Sequence, residues 1–525
     1  MHPREIAAAA PGKAAIVMVP SGTTVTYSEL TERSNRAVRL FRSLGLAPGD
    51  GITLCMENHA RYFEICWAAH DAGLYYTPIS SRLHAEEVAY IVRDCGARVL
   101  IISAAMAAAL GSLPRLLGDG VHCYMIEGTL EGYASYEAAT GGMSAEPGAA
   151  ETQGVAMVYS SGTTGQPKGI KPALPGLSVD EPAPLPTRLM QLYGFDAETV
   201  YLSPAPLYHT APLKFNMTVL MAGGTSIILE KFDAERAIAS IGRYRVTHSQ
   251  WVPTMFIRML RLPAEIRALY DGSAHRIAIH SAAPCPADVK MAMLQWWGPI
   301  IHEYYSGSES IGMCAIGPED WMHHQGSVGR AVRGELHILA EDGRELPPHQ
   351  TGLVFFANGG ELKYHNDSAK TARAHNERGW ATIGDIGHVD EDGYLYLTDR
   401  RDYVINSGGV NIYPQEAENL LSMHPKILDV AVFGIPNAEF GEEVKAVAVL
   451  RAPAQADPVL EHELIAYCRQ HLSPIKCPKT IDFAADLPRE PTGKLVKKRI
   501  RDQYWQSPSI LQNTSLPAPS AKRIT

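Results

Sequence analysis

The chain has 525 residues, too many for one ordinary hydrophobic core, so its length predicts two or more domains. Its formal net charge is −9, with both signs mixed along the chain, which argues against a protein whose main task is to bind nucleic acid. Eight scattered cysteines without a CxxC pair indicate reduced thiols rather than a disulfide framework or zinc site. The amino-terminal segment lacks a signal-peptide core, and no stretch approaches the roughly 20 apolar residues of a membrane span, so we expect a cytoplasmic protein without a transmembrane segment.

In chain order, apolar runs rich in β-branched residues alternate with amphipathic stretches. The apolar runs are GITLCM, RVLIIS, GVAMVYS, TSIILE, RIAIHSAAP and PIIHEYYSG, and the amphipathic stretches include YSELTERSNRAVRLFRSLG and FDAERAIASIGRYRV. Strands that alternate with helices predict parallel-rich sheets covered by helices. From about residue 334 the glycine-punctuated runs GELHIL, TGLVFFA and GYLYLTDR predict a small antiparallel sheet or distorted β-barrel.

The pattern changes again near residue 400, where mixed helix and strand signals continue to about Trp505. The last residues are rich in Ser, Pro and Ala, a composition typical of disorder. We therefore predict an α/β fold with a large N-terminal domain over 1–399, a small α+β C-terminal domain over 400–505 and a disordered tail over 506–525.

The stretch YSSGTTGQPKGI, residues 159–170, follows the apolar strand run VAMV and crowds hydroxyl residues, glycines and one lysine together. Glycines allow successive backbone N–H groups to turn toward one phosphate, although a flexible surface turn has the same composition. It is not a P-loop, because Lys168 is followed by glycine instead of Ser or Thr, which argues against a P-loop kinase. The candidate phosphate-binding residues are Ser160, Ser161, Gly162, Thr163, Thr164, Gly165 and Lys168.

This stretch resembles the ATP-phosphate loop of the adenylate-forming enzymes, which include acyl-CoA synthetases, adenylation domains of peptide synthetases and luciferases. Three later stretches resemble further signatures of that family, in the family's order: EYYSGSES, GWATIGDIGHVDEDGYLYLTDRRDYVINSGGVNIYPQEAE and LPREPTGKLVKKRI. The resemblance covers most of the chain. It implies an ATP-dependent enzyme of this superfamily, in a branch similar to fatty-acyl, bile-acid or steroid-type CoA ligases.

The resemblance assigns roles around the nucleotide. Glu309 would hold Mg²⁺, which commonly binds one or two carboxylates together with phosphate oxygens. Asp385 would accept hydrogen bonds from the ribose, and Arg400 would contact ribose and phosphate. Taken alone, Glu309 could be a solvated residue in a strand-end turn, and the charges around Arg400 could be a solvated run. The other implied ATP-binding residues are Ala283, Tyr304, Tyr305 and Ser308.

The resemblance also assigns catalysis and domain motion. Lys494 would reach the carboxylate and the α-phosphate, where negative charge concentrates in the transition state. His209 would close the acid pocket, although a core histidine is the alternative. Asp402 would be the hinge about which the small domain rotates, bringing Gly408 and Gly409 to the coenzyme A tunnel. The basic residues Lys497, Lys498 and Arg499 would either assist the phosphates of coenzyme A or form a solvated turn.

The implied reaction joins a carboxylic acid to coenzyme A through an acyl-adenylate, with ATP, Mg²⁺ and coenzyme A as requirements. The implied pocket has small and apolar residues, which favours a medium- or long-chain fatty acid or a bulky alicyclic acid. Aromatic acids and transfer to a carrier protein stay open, and the sequence allows for a homodimer. The TAPL run after His209 carries no acidic residue, which argues against an amino acid substrate. The expected acid-pocket residues are His209, Phe215, Trp251, Ser281, Ala282 and Met313.

Overall fold

The computed structural model describes residues 2–148, 152–160, 167–453, 456–489 and 495–506. Among these residues the chain forms two compact units. Unit 1 holds 2–323 and 359–375, and unit 2 holds 324–358 and 376–506. The domain boundary expected between residues 399 and 400 stays a prediction, and the expected tail beyond residue 506 lies outside the described residues.

Unit 1 contains most of the helices and strands. Its strands are β1 (Ala14–Val19), β2 (Thr24–Thr26), β3 (Gly51–Cys55), β4 (Tyr75–Ile79), β5 (Ala97–Ser103), β6 (His122–Ile126), β7 (Ala134–Ser135), β8 (Val155–Ala156), β9 (Val158–Ser160), β10 (Lys168–Ile170), β11 (Val200–Ser203), β12 (Thr225–Leu229), β13 (His248–Trp251), β14 (Ile277–His280), β15 (Ile301–Tyr305) and β16 (Met313–Ile316). Its helices are α1 (Pro3–Ala9), α2 (Tyr27–Ser43), α3 (Tyr62–Asp71), α4 (Ala85–Asp94), α5 (Ala107–Leu110), α6 (Leu113–Leu117), α7 (Tyr136–Gly141), α8 (Pro184–Tyr193), α9 (Thr210–Ala222), α10 (Ala234–Arg243), α11 (Pro253–Leu260), α12 (Ala264–Arg267), α13 (Ala287–Trp297), α14 (Pro318–His323) and α15 (Ser368–Arg373).

Two large sheets organise unit 1. The first has six parallel strands in the order β7-β6-β5-β3-β4-β8. In the second, the strands of unit 1 follow the order β16-β15-β14-β13-β11-β12-β1-β2, with a parallel centre and an antiparallel pair at each end. Strands β9 and β10, which flank the candidate phosphate loop, form a separate antiparallel pair. The α/β class and the parallel-rich sheets predicted from the alternating pattern are confirmed.

Unit 2 is built on antiparallel strands. Its strands are β17 (Arg330–Arg333), β18 (Glu335–Leu339), β19 (Gly352–Ala357), β20 (Asp385–Val389), β21 (Leu395–Arg400), β22 (Ile405–Ser407), β23 (Val410–Ile412), β24 (Ile427–Asn437), β25 (Gly441–Leu450) and β26 (Thr480–Ala484), and its helices are α16 (Pro414–Ser422), α17 (Pro458–His471) and α18 (Lys497–Gln506). Strands β18 to β21 form a four-stranded antiparallel sheet, and a five-stranded sheet has the order β23-β22-β25-β24 with β26 parallel to β25.

Local sequence chemistry explains several helix starts. The hydroxyl of Thr26 accepts the backbone N–H of Glu29, and the Glu29 carboxylate accepts the backbone N–H of Thr26. These two hydrogen bonds form a capping box at the N-terminus of α2. The Asp233 carboxylate caps α10 by accepting the backbone N–H of Arg236. The two helices that the spacing of apolar residues predicted are present as α2 and α10.

Two broader properties also follow from the described chain. All eight cysteines are unpaired, and seven of them are buried. Within the described ranges, no helix is both long enough and apolar enough to cross a bilayer.

Candidate active site

The candidate nucleotide residues of unit 1 follow two neighbouring parallel strands, β14 and β15, which pair His280 with Glu303. The loop after β14 carries Ser281 to Ala283, and the turn after β15 carries Ser306 to Glu309. Because the carboxyl ends of adjacent parallel strands meet at one edge of a sheet, the fold brings these two stretches to the same edge. This is where open α/β sheets commonly bind their ligands.

The loop after β14 has an unusual backbone at Ala282, whose φ is 76°. A side chain with a Cβ rarely adopts this left-handed conformation, so the position is strained. Ala282 is exposed, whereas Ser281 is buried. A strained, exposed turn at the carboxyl edge of a parallel sheet fits a ligand loop.

The two tyrosines at the end of β15 have different surroundings. Tyr304 is buried, accepts a hydrogen bond from the Gln250 amide at 3.4 Å and is hydrogen-bonded to the Ser281 side chain. Burial raises the pKa of Tyr304 to about 12, so the phenol stays neutral. Tyr305 is only half-buried. Successive residues of a strand point to opposite faces, so Tyr305 is the better candidate for a ring that receives adenine.

The turn with Glu309 lies beside the start of α9. The hydroxyls of Ser308 and Thr210 are 3.1 Å apart, and the Lys214 ammonium donates to the Ser310 hydroxyl at 3.3 Å. Thr210 is the first residue of α9, and His209 precedes it, half-buried against the ring of Tyr208. The structure therefore brings the His209 stretch and the Glu309 stretch together.

Glu309 also meets a residue that the sequence did not indicate. The hydroxyl of Tyr364 donates to Oε1 of Glu309 at 3.1 Å, and Tyr364 is itself buried. The second oxygen of Glu309 accepts no hydrogen bond from the part of the chain that the structure describes. A half-buried carboxylate with one oxygen held and the other available fits a ligand for Mg²⁺, which prefers oxygen donors.

Lys168 lies 3.1 Å from the carboxylate of Asp367, and both side chains are partly buried. Ser160 ends β9, but its side chain lies outside the described residues. The catalytic candidate Lys494 and the loop candidates Ser161, Gly162, Thr163, Thr164 and Gly165 also lie outside them.

The acid-pocket candidates fall into two surroundings. Phe215 is buried and stacks on Tyr304, with ring centroids 5.6 Å apart. Trp251 is also buried, and it packs against Phe256 and Trp297, which gives this residue a role in the core. The backbone N–H of Ser281 donates to the Trp251 carbonyl, so the two stretches touch through the backbone. Met313 is buried in β16.

In unit 2, the predicted ribose residue Asp385 lies opposite Arg400 in the register of β20 and β21. Arg400 Nε lies 3.0 Å from Oδ1 of Asp385, and Asp385 is buried. Half-buried Asp399 accepts the N–H of Gln415 at 3.0 Å, near the start of α16. Burial raises the pKa of Asp399 more than the nearby Lys497 lowers it. The alternative of a freely solvated charge run therefore does not hold for Asp399.

The hinge and tunnel candidates are exposed. Asp402 accepts a hydrogen bond from the Arg501 side chain through its carbonyl at 2.9 Å. Gly408 and Gly409 have φ values of 59° and 81° and connect β22 to β23. Two successive positive φ values are what a tight hairpin turn requires, so the turn itself accounts for both glycines. Their role toward coenzyme A stays a prediction.

Lys497 excludes one of the two alternatives given for the basic residues. Its side chain donates to Glu418 at 2.8 Å, and only 5% of the residue is exposed. The solvated basic turn is therefore wrong for Lys497. The residues around Lys497 do not indicate this burial, because its partner Glu418 is distant in the chain.

Comparisons with known proteins agree with these features. Residues 4–361 match the AMP-binding enzyme family, and residues 416–494 match the AMP-binding enzyme C-terminal domain. The long-chain-fatty-acid–CoA ligase FadD13 of Mycobacterium tuberculosis is 30% identical over 512 residues, which are 95% of this chain and 97% of the relative. Feruloyl-CoA synthase of an Amycolatopsis species is 30% identical, with 92% of this chain and 94% of the relative covered.

A solved structure is similar over nearly the whole chain. The crystal structure of ATP-bound MatB from Rhodopseudomonas palustris has a TM-score of 0.80 at 27% identity, and the match covers 96% of this chain and 99% of MatB. The motifs, the parallel sheets and the family match over most of the sequence all agree. The chain belongs to the AMP-binding enzyme family, in the adenylate-forming superfamily.

Proposed function

We propose that this AMP-forming acyl-CoA ligase activates an apolar carboxylic acid, either a medium- or long-chain fatty acid or a bulky alicyclic acid. In the first step an oxygen of the acid's carboxylate attacks the α-phosphorus of ATP, and pyrophosphate leaves. In the second step the thiol of coenzyme A attacks the acyl carbonyl, loses its proton, and AMP leaves. ATP and coenzyme A are therefore co-substrates.

The observation that carries this proposal is the contact between Ser308 and Thr210. It joins the start of α9, next to His209, to the turn that bears Glu309. The stretch implied in acid binding and the stretch implied in nucleotide binding thus share one place in unit 1. Such a meeting suits an enzyme that must bring a carboxylate to a phosphate.

Each nucleotide residue has an assigned task. Glu309 would bind Mg²⁺, which when bound neutralises phosphate charge. Lys168 would add a positive charge at the leaving pyrophosphate. Asp385 would accept hydrogen bonds from the ribose hydroxyls, since a carboxylate offers only acceptors. Lys494 would stabilise the charge that develops during attack on phosphorus.

The preference for an apolar acid is supported by the surroundings of Phe215. The aromatic rings packed nearest to it are uncharged, and Tyr193 and Tyr304 have pKa values raised by burial. A second carboxylate or another charged group would lose hydration against such a surface. The aromatic rings around Phe215 are Tyr193, Phe195, Tyr201 and Tyr304.

An aromatic acid is the second candidate. The same ring cluster favours it, because aromatic side chains pack well on aromatic ligands. The names of two relatives, a long-chain fatty acid ligase and a feruloyl-CoA synthase, correspond to the two candidates.

A panel of acids tests the proposal. Pyrophosphate release is measured for fatty, alicyclic, aromatic and dicarboxylic acids, and coenzyme A products are identified by mass spectrometry. We expect the highest kcat/KM for a fatty or alicyclic acid. A clear preference for an aromatic or dicarboxylic acid would contradict the substrate class. Accumulation of acyl-adenylate without thioester would point instead to transfer onto a carrier protein.

The role of Lys494 is tested separately. Lys494→Ala should lose acid-dependent pyrophosphate release, by on the order of 100-fold or more, because a group that stabilises developing charge is removed. The same variant should still form thioester from supplied acyl-adenylate and coenzyme A. Equal loss in both half-reactions would contradict a lysine that acts only in adenylation.

We also propose that the enzyme works in the cytoplasm. All eight cysteines are unpaired, which fits a reducing compartment. Fractionation of the cells that make the protein would test this, with activity expected in the soluble cytoplasmic fraction.

A further inference from the structure

A short segment of unit 1, residues 359–375, touches both of the candidate ATP motifs, and we name it the strap. The hydroxyl of Tyr364 donates to Oε1 of Glu309 at 3.1 Å. The carboxylate of Asp367 lies 3.1 Å from the Lys168 ammonium. Neither strap residue belongs to the motifs that identified the site.

Backbone contacts fix the position of the strap. The N–H of His365 donates to the Gly169 carbonyl at 2.8 Å, and Ile170 pairs with Tyr364 in an antiparallel bridge. At the start of the strap, a Cβ added to Gly359 would lie 1.6 Å from the Ile311 carbonyl oxygen, so only glycine allows this close approach. The two side-chain contacts therefore arise from a fixed main chain.

The strap is tied at a third point. The His365 ring lies 2.8 Å from the Asp94 carbonyl, and the Asn366 amide donates to the Asp94 carboxylate at 3.2 Å. Asp94 ends α4, so the strap spans from α4 to the turn after β15. A segment held at several points can position a side chain precisely enough to matter for ligand binding.

Tyr364 is suited to orient a metal-binding carboxylate. It is buried, and its ring lies 3.8 Å from the Lys370 ammonium, which fixes the ring. Its hydroxyl donates to one oxygen of Glu309, so that oxygen has a fixed partner. The other oxygen is then held in a constant direction.

Asp367 has two tasks, one for each oxygen. Oδ1 caps α15 by accepting the N–H of Lys370 at 2.9 Å, and Oδ2 pairs with Lys168. A triphosphate that recruits Lys168 must take it from Asp367. The carboxylate also repels phosphate, since both are negative.

We propose that the strap sets the affinity for Mg·ATP through two contacts of opposite effect. Tyr364 is a positioning residue that fixes Glu309 for the metal, and Asp367 competes with the triphosphate for Lys168. This inference rests on the proposed ATP-site roles of Glu309 and Lys168.

The test measures equilibrium binding of ATP by calorimetry, without acid or coenzyme A, in excess Mg²⁺ and in EDTA. Tyr364→Phe removes only the hydroxyl and should weaken ATP binding about tenfold in Mg²⁺, as expected for a hydrogen bond to a charged group, and leave binding in EDTA unchanged. Asp367→Asn keeps an oxygen for the cap and should tighten ATP binding about two- to fivefold in both conditions, the size of a partly exposed ion pair.

Matched controls exist within unit 1. Tyr133→Phe removes a buried phenol that donates to the Leu110 carbonyl at 2.8 Å. Asp50→Asn changes a carboxylate that accepts the N–H of Ala47 and pairs with Arg98 at 3.1 Å. Neither control should change the ATP dissociation constant in either condition.

Glu309→Gln separates the possible failures. If Glu309→Gln leaves Mg²⁺-dependent ATP binding unchanged, the proposed metal role fails. If Glu309→Gln weakens binding but Tyr364→Phe does not, only the inference about Tyr364 fails. In the double variant Glu309→Gln/Tyr364→Phe the two losses of ATP affinity should not add, because both act through the Glu309 carboxylate. Additive losses, or an equal loss in EDTA, would contradict the role of Tyr364. Weaker ATP binding by Asp367→Asn would contradict the role of Asp367.

Discussion

Each unit buries a lysine–glutamate pair, and the surroundings of the two pairs differ. In unit 1, Lys290 of α13 donates to Glu303 of β15 at 2.7 Å. In unit 2, Lys497 of α18 donates to Glu418 of α16 at 2.8 Å. All four residues are less than a tenth exposed. The two pairs together show how neighbouring charges change the free-energy cost of burying an ion.

In unit 1 one carboxylate has two basic neighbours. Glu303 also lies 3.3 Å from the ring of His280, and the Lys290 ammonium lies over the ring of Trp321 at 4.7 Å. Burial lowers the pKa of His280 well below its usual value, with Lys290 adding to the effect, so the imidazole is neutral. The cluster therefore has one positive and one negative charge.

In unit 2 the Lys497 ammonium interacts with two carboxylates, those of Glu418 and Asp399. Burial alone would lower the pKa of Lys497, but Glu418 and Asp399 together raise it. Oε1 of Glu418 is buried, and no described residue hydrogen-bonds to it. The pKa values of Glu418 and Asp399 are both raised, first by burial. Among the described residues, the surroundings of Lys497 thus contain two carboxylates, of which Glu418 is hydrogen-bonded to it.

Both pairs lie next to candidate catalytic stretches. Glu303 belongs to the strand that leads into the turn with Glu309, and Lys497 begins the helix that follows Lys494 in the sequence. A buried ion pair often stabilises the fold no more than apolar residues would in its place. Its presence is better explained by the particular conformation that it favours. The difference in charge balance predicts unequal responses to loss of the lysine.

Loss of Lys497 should have the largest effect. Lys497→Met leaves buried Glu418 and half-buried Asp399 without the Lys497 cation, and we expect the free energy of unfolding to fall by about 3–5 kcal/mol. Urea denaturation measures the loss, and hydrogen exchange in peptides of α16 locates it in unit 2. As a control, Lys426→Met removes an exposed lysine that pairs with Glu463, and it should cost less than about 1 kcal/mol. Equal effects of the two variants would contradict the charge argument.

Loss of Lys290 should have a smaller effect. Lys290→Met leaves one carboxylate, which can take up a proton, and we expect a loss near the lower end of the range, about 3 kcal/mol. Adding Glu303→Gln should recover part of this loss, since no buried charge remains. Hydrogen exchange in peptides of α13 measures the change. A greater loss in the free energy of unfolding for Lys290→Met than for Lys497→Met would contradict the predicted order.

The pH dependence should separate the two units further. A carboxyl group with a raised pKa binds more protons in the folded state, so stability falls as pH rises from its ordinary pKa through the raised one. Without Lys497, the pKa values of Glu418 and Asp399 should rise further. Arg489 also acts on Glu418 but is paired with Asp429.

The destabilisation by Lys497→Met should therefore be smaller at about pH 5 than at about pH 8, where both carboxyls must ionise without a cation. Unfolding free energies of the wild type and the variant at both pH values give the comparison. A loss that is independent of pH would contradict the assignment of raised pKa values to these carboxyls.

The sequence predicted the elements and motifs of this molecule better than its long-range contacts. The apolar spacing identified α2, α10, β14 and β15, because amphipathic patterns depend on neighbouring residues. Glu309 was selected because the contiguous stretch EYYSGSES resembles a family signature. These features are local, so a single sequence contains them.

The strap and the buried lysine depend on distant partners. Tyr364 and Glu309 are 55 positions apart, and Lys497 and Glu418 are 79 positions apart. The run LVKKRI left two alternatives open, contact with coenzyme A phosphates or a solvated basic turn, and nothing nearby indicates which lysine is buried. Asp367 followed by Ser368 is a recognisable helix start, but its contact with Lys168 depends on how the strap crosses β10.

Salt should produce the smallest effect and gives the most direct test of burial. Ions in solution screen exposed charges and leave buried pairs nearly unaffected, since solvent does not reach them. Between about 0.05 and 1 M NaCl, the losses caused by Lys497→Met and Lys290→Met should each change by less than about 0.5 kcal/mol. The small loss caused by Lys426→Met should disappear. If high salt removed the loss in unit 2 but not in unit 1, Lys497 would be open to solvent, and the comparison would reduce to one buried pair and one surface pair.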